Sequence, residues 1–305
     1  MPANASVETP PHPERVFDKL REMAYAELHC HSNFSFLDGA SFPEDLVHRA
    51  AELGYRALAL TDHNGFYGVS RFWQAARETG LPVIYGVEVG LPLGGGVGEG
   101  SDPVAAAEAW DEWRQSQRPV GPRRGRTVRA HGAKPTRLPP TEHLVLLAAS
   151  PDGYRGLGRF ITRGQLRGAK DAPAFSWDDL AEVASTREVW ALSGCHAGAV
   201  PRAASEGDLA GAMAAASRLR ELFGHRFHLE LWNHGMPGDD ARNDLMWEVA
   251  QRLGLGVVAT NQVHYARRQD ADLAEVLAAI RGRRSLDEAD GFRPATDLRH
   301  LRDPG

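Results

Sequence analysis

Residues 25–39 read YAELHCHSNFSFLDG, and this stretch decides how the rest of the chain is read. It opens as a short strand and ends in a turn at Asp38-Gly39. His29 and His31 stand two residues apart, and on an extended backbone side chains at that spacing point the same way. Cys30 lies between them and faces the opposite side, so it is assigned to the core. Two imidazoles and a carboxylate at the mouth of one strand make an incomplete metal site. The missing ligands have to come from later in the chain.

Working outward, short apolar strands alternate with amphipathic helices. Strands are expected at residues 25–29, 56–61 (RALALT), 82–88 (PVIYGVE), 143–149 (HLVLLAA), 188–193 (EVWALS), 226–231 (RFHLEL) and 256–260 (GVVAT). Helices are expected at residues 43–54, 68–80, from 152 onward, 207–224, 239–253 and 272–283, with Pro at the start of the first and Gly closing several of them. This alternation predicts a parallel sheet. Seven such units favour a closed or nearly closed (β/α) barrel over an open sheet. In such barrels functional groups collect at the C-terminal ends of the strands.

The pattern breaks at residues 91–140. This stretch opens with LPLGGGVGEG and closes with a Pro-rich arm holding seven Arg and one Lys and no acid from Trp113 to Pro140. It is expected to be an inserted, largely disordered surface loop with a weak helix near residues 104–115. A basic arm touching nucleic acid is the alternative. Residues 1–24 read as a flexible leader, and residues 266–305 as a C-terminal helix followed by a polar, irregular end.

The 305 residues suffice for a sizeable core, and 25% charged with 42% hydrophobic content is ordinary for a globular protein. A formal net charge of -5 excludes a polycation that grips nucleic acid over its whole surface. Two cysteines make a disulfide framework implausible, and no apolar run approaches a membrane span. The first residues lack the apolar core of a signal peptide. A cytoplasmic location and no membrane partner are therefore expected.

The polar residues after each strand carry the argument. His29 and His31 follow the first strand, Asp62 and His63 the second, and Glu88 closes the third. Ser193, Cys195 and His196 follow the fifth, Glu230 lies in the sixth with Asn233 and His234 after it, and Asn261, Gln262 and His264 follow the seventh. His143 is the exception, because it stands at the start of its strand. Six strand ends converging on one face need a common cause. Divalent metal binding supplies one, because His, carboxylate and thiolate are its ligand set. A Ser/His/Asp triad would leave most of these residues idle, and there is no G-x-S-x-G elbow, Walker loop or G-x-G-x-x-G. The candidates are too many for one ion. Several ions sharing a carboxylate suit phosphoester chemistry, with Glu88 as the bridge and Cys195 as the soft ligand.

In order, HCHSNFSFLDG, LALTDHNGFYG, GVE, HLVLLAASPDGY, SGCHAG and ATNQVHY resemble the PHP (polymerase and histidinol phosphatase) domain. They are most similar to its form at the N-terminus of bacterial DNA polymerase III alpha subunits. AELHCHSNFSFLDGAS and RRSLDEADGF point to the error-prone, damage-induced branch. The resemblance implies a distorted (β/α)7 barrel with up to three metal ions (Zn, Mn or Fe) on nine ligands. Matched by motif, eight of these are His29, His31, Asp38, His63, Glu88, His143, Cys195 and His264. Asp62, Glu230 and Asn261 stand behind the ligands. The ninth position, an Asp in the family, is Gln262 here, so one ion loses a charged ligand and the count could fall to two.

The resemblance also implies a role in translesion synthesis, DNA repair and replication. The partners it implies are a polymerase core on the same protein, DNA, a sliding clamp and damage-response proteins. The palm carboxylates of polymerisation would lie beyond this chain, which therefore reads as a fragment that does not itself synthesise DNA. Three readings result. The first is a mainly structural metal-binding domain of an error-prone polymerase with weakened phosphoesterase capacity. The second is a stand-alone metal-dependent phosphoesterase or 3′–5′ exonuclease. The third is a nucleic-acid-binding module built on the basic insertion.

Overall fold

The computed structural model describes residues 25–92, 141–168, 173–289 and 296–303. The leader, nearly all of the insertion and its expected helix lie outside the described residues. Seven strands form one sheet in sequence order: β1 (Ala26–Glu27), β2 (Ala57–Leu60), β3 (Val83–Pro92), β4 (Thr141–Ala148), β5 (Val189–Leu192), β6 (Phe227–Leu231) and β7 (Gly256–Ala259). The described helices are α1 (Pro43–Glu52), α2 (Val69–Thr79), α3 (Pro151–Arg167), α4 (Trp177–Ser185), α5 (Ala199–Ser205), α6 (Leu209–Phe223), α7 (Asp239–Leu253) and α8 (Ala271–Gly282).

The sheet closes on itself. Cys30, just past β1, bridges in parallel to Val263, just past β7. His31 donates its backbone N–H to the Val263 carbonyl at 2.8 Å, and Val263 returns one to the His29 carbonyl at 2.9 Å. The result is the distorted (β/α)7 barrel.

One expectation needs correcting, because the sheet is not wholly parallel. β4 runs antiparallel to both β3 and β5, while β1–β3 and β5–β7 pair in parallel. The long β3–β4 ladder pairs Gly86 with Leu147 at one end and Pro92 with Thr141 at the other. Leu91 and Pro92, the first two residues of the expected insertion, still belong to the ladder. Reversal also resolves the His143 exception. The N-terminal end of an antiparallel strand lies at the same barrel mouth as the C-terminal ends of its neighbours.

The period-two alternation of side chains sorts each strand into an outer and an inner face. Outward residues Val87, Val89, Leu144, Leu146, Val189, Ala191, Phe227 and Leu229 pack against helix residues such as Leu157, Phe160, Leu180, Leu219 and Val249. Leu58 and Leu60 of β2, with Cys30, pack on Leu46 and Val47 of α1 and Phe72 of α2. Cys30 is thus a core residue, as its parity requires. The inner face is filled by Ala59, Val145, Leu147 and Leu192, with Ile84, Trp190 and Val258 against them. Continuing the inner parity toward the mouth puts Glu88, His143 and Glu230 on the inner face.

The helices take their ends from local chemistry. Ser150, Ser176 and Asp208 each accept a backbone N–H of the first turn of α3, α4 and α6. Beyond α8, the chain returns to the barrel. Tyr265 bridges His300, Leu301 is fully buried, and the Tyr55 hydroxyl donates to the Arg302 carbonyl at 2.7 Å. Among the described residues no helix is long and apolar enough to cross a membrane.

Candidate metal centre

The mouth is organised by the loop that carries the chain from His31 to Asp38. Asp62, buried at the end of β2, accepts from the Ser32 backbone N–H at 2.7 Å and from the hydroxyls of Ser32 and Ser35. Asp62 thus fixes the loop and does not itself touch the histidines' ring nitrogens. Gly39 makes the tight return possible, because a Cβ there would sit 2.0 Å from the Ser32 carbonyl oxygen. Their spacing within a turn is the one signal in the sequence that marks Ser32 and Ser35 for this role.

Three trios of side chains present ligand atoms within 4.8 Å of one another: His29, His31 and Glu88; His31, Asp38 and His63; and His63, Glu88 and His143. His264 joins the second trio, with Nε2 at 3.1 Å from Asp38 Oδ2. Cys195 joins the third, with Sγ at 3.1 Å from His143 Nδ1. All eight residues expected from the motifs therefore meet at one mouth.

The hydrogen bonds fix what these atoms can do. His29 Nδ1 lies 2.7 Å from Glu230 Oε1, and His31 Nδ1 lies 3.0 Å from Asp38 Oδ2. An imidazole whose Nδ1–H donates to a carboxylate leaves a lone pair on Nε2. The two Nε2 atoms face each other at 3.2 Å. Glu88 lies beside them, fully buried. Four imidazole nitrogens, from His29, His31, His63 and His143, lie 3.2–3.7 Å from its oxygens. Yet neither oxygen has a partner in hydrogen-bond geometry. Imidazole Nε2 atoms 3.2 Å apart and a carboxylate without a hydrogen-bond partner, converging in a buried space, form a set that a cation would satisfy once the rings give up their protons. The donor set, imidazole and carboxylate with one thiol, fits a divalent transition metal.

Electrostatics in the metal-free chain agree. Burial alone would raise the Glu88 carboxyl, but His143, His63 and His29 hold it well below the usual carboxylate range. Asp38 is likewise held down against burial by His264, His31 and His63. Burial would lower His31, but Asp38 and Glu88 hold it up at about 9. His29 is raised well above its ordinary value by Glu230 and Glu88, again against burial. His264 goes the other way, to about 4, because burial outweighs Asp38. Burial and the Glu88 charge push the Cys195 thiol well up. A cation at the cluster would reverse that.

The remaining expected residues take different places. Gln262 is buried in a left-handed backbone conformation (φ 44°), one residue from the bridge to Cys30, and its Nε2 has no partner. Its backbone carbonyl accepts from His264 Nδ1 at 2.7 Å. Asn261 points away from the trios. Its side-chain amide donates to the Leu298 and His300 carbonyls, and its carbonyl faces His234 Nε2 at 2.8 Å. Arg281 of α8 was not foreseen. It donates to Asp38 Oδ1 at 2.7 Å across 243 positions, a separation at which the sequence offers no signal. Glu27 was also missed. Fully buried, it accepts from the Tyr25 hydroxyl and from the backbone N–H groups of His29 and Asn261, and so ties β1 to the end of β7.

Residues 27–234 match the family model described as the PHP domain. The chain is 43% identical over 282 residues to an error-prone DNA polymerase from Cutibacterium acnes, covering 91% of this chain and 21% of that protein. It is 32% identical over 285 residues to the DNA polymerase III subunit alpha of Thermus aquaticus, covering 93% of this chain and 21% of that one. It thus spans about a fifth of the length of the polymerases it matches. An amidohydrolase structure from Chromobacterium violaceum, with bound sulfate and no metal, aligns at a TM-score of 0.41 with 17% identity, covering 79% of this chain and 88% of that one.

Proposed function

The chain belongs to the PHP domain family, and from that premise we propose that it is the metal-braced domain of an error-prone DNA polymerase. The observation that carries the metal reading is the meeting of the His29 and His31 Nε2 atoms, 3.2 Å apart, beside the unpartnered Glu88 carboxylate. His29, His31 and Glu88 hold one divalent ion, Asp38, His63 and His264 a second, and Glu88, His143 and Cys195 a third. The ions are of the Zn, Mn or Fe class. The first position is the weakest, because Gln262 offers it no charge.

The role is mainly structural. Ligands from β3 and β4 and from beyond the ends of β1, β2, β5 and β7 are drawn to one mouth, so bound ions brace the ring where it closes. Each ion contributes roughly 3–4 kcal/mol when its concentration is about 100 to 1,000 times its Kd. For a domain of this size that is about 6–16 °C per ion. We expect chelation to lower the thermal midpoint by more than about 10 °C, read by calorimetry beside elemental analysis. An unchanged midpoint after complete stripping sinks the structural role. The polymerase core and DNA are the partners this reading implies, with clamp and damage-response proteins as further ones.

A second reading, residual phosphoester hydrolysis, is favoured by one observation. The side chains of His63 and His143 are 27% and 25% exposed, so the cluster is open to solvent on that side. Clustered divalent ions, when bound, would neutralise a phosphoester and make water a better nucleophile near neutral pH. This chain's part is to hold the ligand lone pairs in place and leave that side accessible. Turnover of a DNA 3′ end with Mn or Zn, abolished in His31→Ala, supports this reading, and no turnover across divalent metals removes it.

A further inference from the structure

Glu230 is the inward carboxylate of β6, the one strand from which none of the proposed ligands comes. It is 0% exposed. Oε1 accepts from the Thr260 hydroxyl at 2.6 Å and lies 2.7 Å from His29 Nδ1. Oε2 is buried and has no partner at all. A carboxylate in that state has given up water on one oxygen without a replacement, which is costly unless positive charge lies nearby. Thirty-two positions further on, Gln262 stands buried with its own amide nitrogen unpartnered. The His29, His31 and Glu88 trio therefore has behind it a buried carboxylate with one oxygen unpartnered, while the position at which the family resemblance implies a ninth, charged ligand is a neutral amide.

We infer that Glu230 is a positioning residue that supplies, through His29, the negative charge that Gln262 does not, so that the His29, His31 and Glu88 trio still holds a divalent ion. A carboxylate behind the distal nitrogen of a ligating imidazole fixes its tautomer and strengthens its donor nitrogen. Here it also supplies the charge balance. Glu88 is shared with the third trio, so its single charge does not neutralise an ion at each. The inference rests on the metal reading above and adds a residue to it.

The test is equilibrium binding of Zn and of Mn, with elemental analysis, on wild type, Glu230→Gln, Gln262→Asp and the double variant. Glutamine at 230 still accepts from His29 and Thr260, so it keeps the orientation and removes the charge. Expected is a ten- to hundredfold weaker affinity for one ion in Glu230→Gln, with the other ions retained. Adding Gln262→Asp should restore it. Thr260→Val, which leaves the His29 contact in place, should bind as wild type does. Equal affinity in Glu230→Gln and wild type overturns the inference while leaving the metal reading intact. So does a loss that Gln262→Asp fails to restore, since that indicates orientation alone. A wild-type chain that binds no ion overturns both. Calorimetry of the metal-free variants separates a folding defect from an affinity change.

Discussion

The trio at the end of β1 and the trio between β4 and β5 share Glu88 but are built differently. His29 and His31 are buried, and each has a carboxylate on its distal nitrogen, Glu230 and Asp38. Their ring orientations are set before any ion arrives. His143 is one quarter exposed, and the same Nδ1 faces both Glu88 at 3.2 Å and Cys195 at 3.1 Å. The first trio is rigid and short of one charge, whereas the third is open and has a thiol to ionise. On the inference above, pre-organisation stands in for a charged ligand at the first, while solvent access goes with the third. On the reading proposed above, bracing falls to the first trio and any hydrolysis to the side of His63 and His143.

The change expected to break this comparison most severely is Glu88→Gln. Because both trios use that carboxylate, about two ions should be lost together, with a fall in thermal midpoint close to that of full chelation. Cys195→Ser should cost about one ion and leave the first trio loaded. Elemental analysis of the two variants decides it, and equal losses would mean that the trios are not separable.

A smaller effect is expected from Gly194→Ala. Gly194 adopts φ 78°, and a Cβ there would lie 2.6 Å from the His143 carbonyl oxygen. The left-handed conformation alone costs a non-glycine residue about 1–2 kcal/mol, and the clash pushes directly between His143 and Cys195. We expect a midpoint lower by several degrees, with the ion of the third trio weakened and that of the first unchanged. Weakening of the first trio instead would contradict the separation.

A separate effect is a pH dependence confined to the stripped protein. His31 is raised to about 9 from an ordinary 6.5, and His29 is raised as well. A raised folded value means that the stabilisation is complete below pH 6.5 and is lost as pH climbs through about 9. Each proton involved contributes about 1.4 kcal/mol per pH unit in that window. Chelated protein should therefore melt earlier at pH 9 than at pH 6, while metal-loaded protein, whose histidines carry no such protons, should not show that fall. A flat profile for the chelated form would mean that His29 and His31 are not the charged pair.

Much of this was legible in the residues. The i, i+2 histidines, the alternation of short strands with helices and the polar strand ends were enough to predict a barrel with its ligands at one mouth. Cys30 was placed in the core by parity alone. The direction of β4 was not legible, because HLVLLAA reads the same whichever way the strand runs. Only the ladder from Gly86–Leu147 to Pro92–Thr141 settles it. Asp62, Glu230 and Asn261 looked alike as polar residues near strand ends. One pins the loop of His31, one backs His29, and one ties down the returning tail.

The sequence by itself determined which groups are available and on which face of each strand they stand, because side-chain parity and ligand chemistry are local properties. It also pointed to the family, and it places Gln262 where the resemblance implies a carboxylate ligand. The tertiary structure alone decided which ring nitrogens of His29 and His31 face a carboxylate, that His143 shares the mouth, and that Glu230 and Arg281 reach the cluster from hundreds of positions away. Tautomers, strand sense and long-range carboxylate contacts are set by packing across the closed ring, and no stretch of chain read alone contains them.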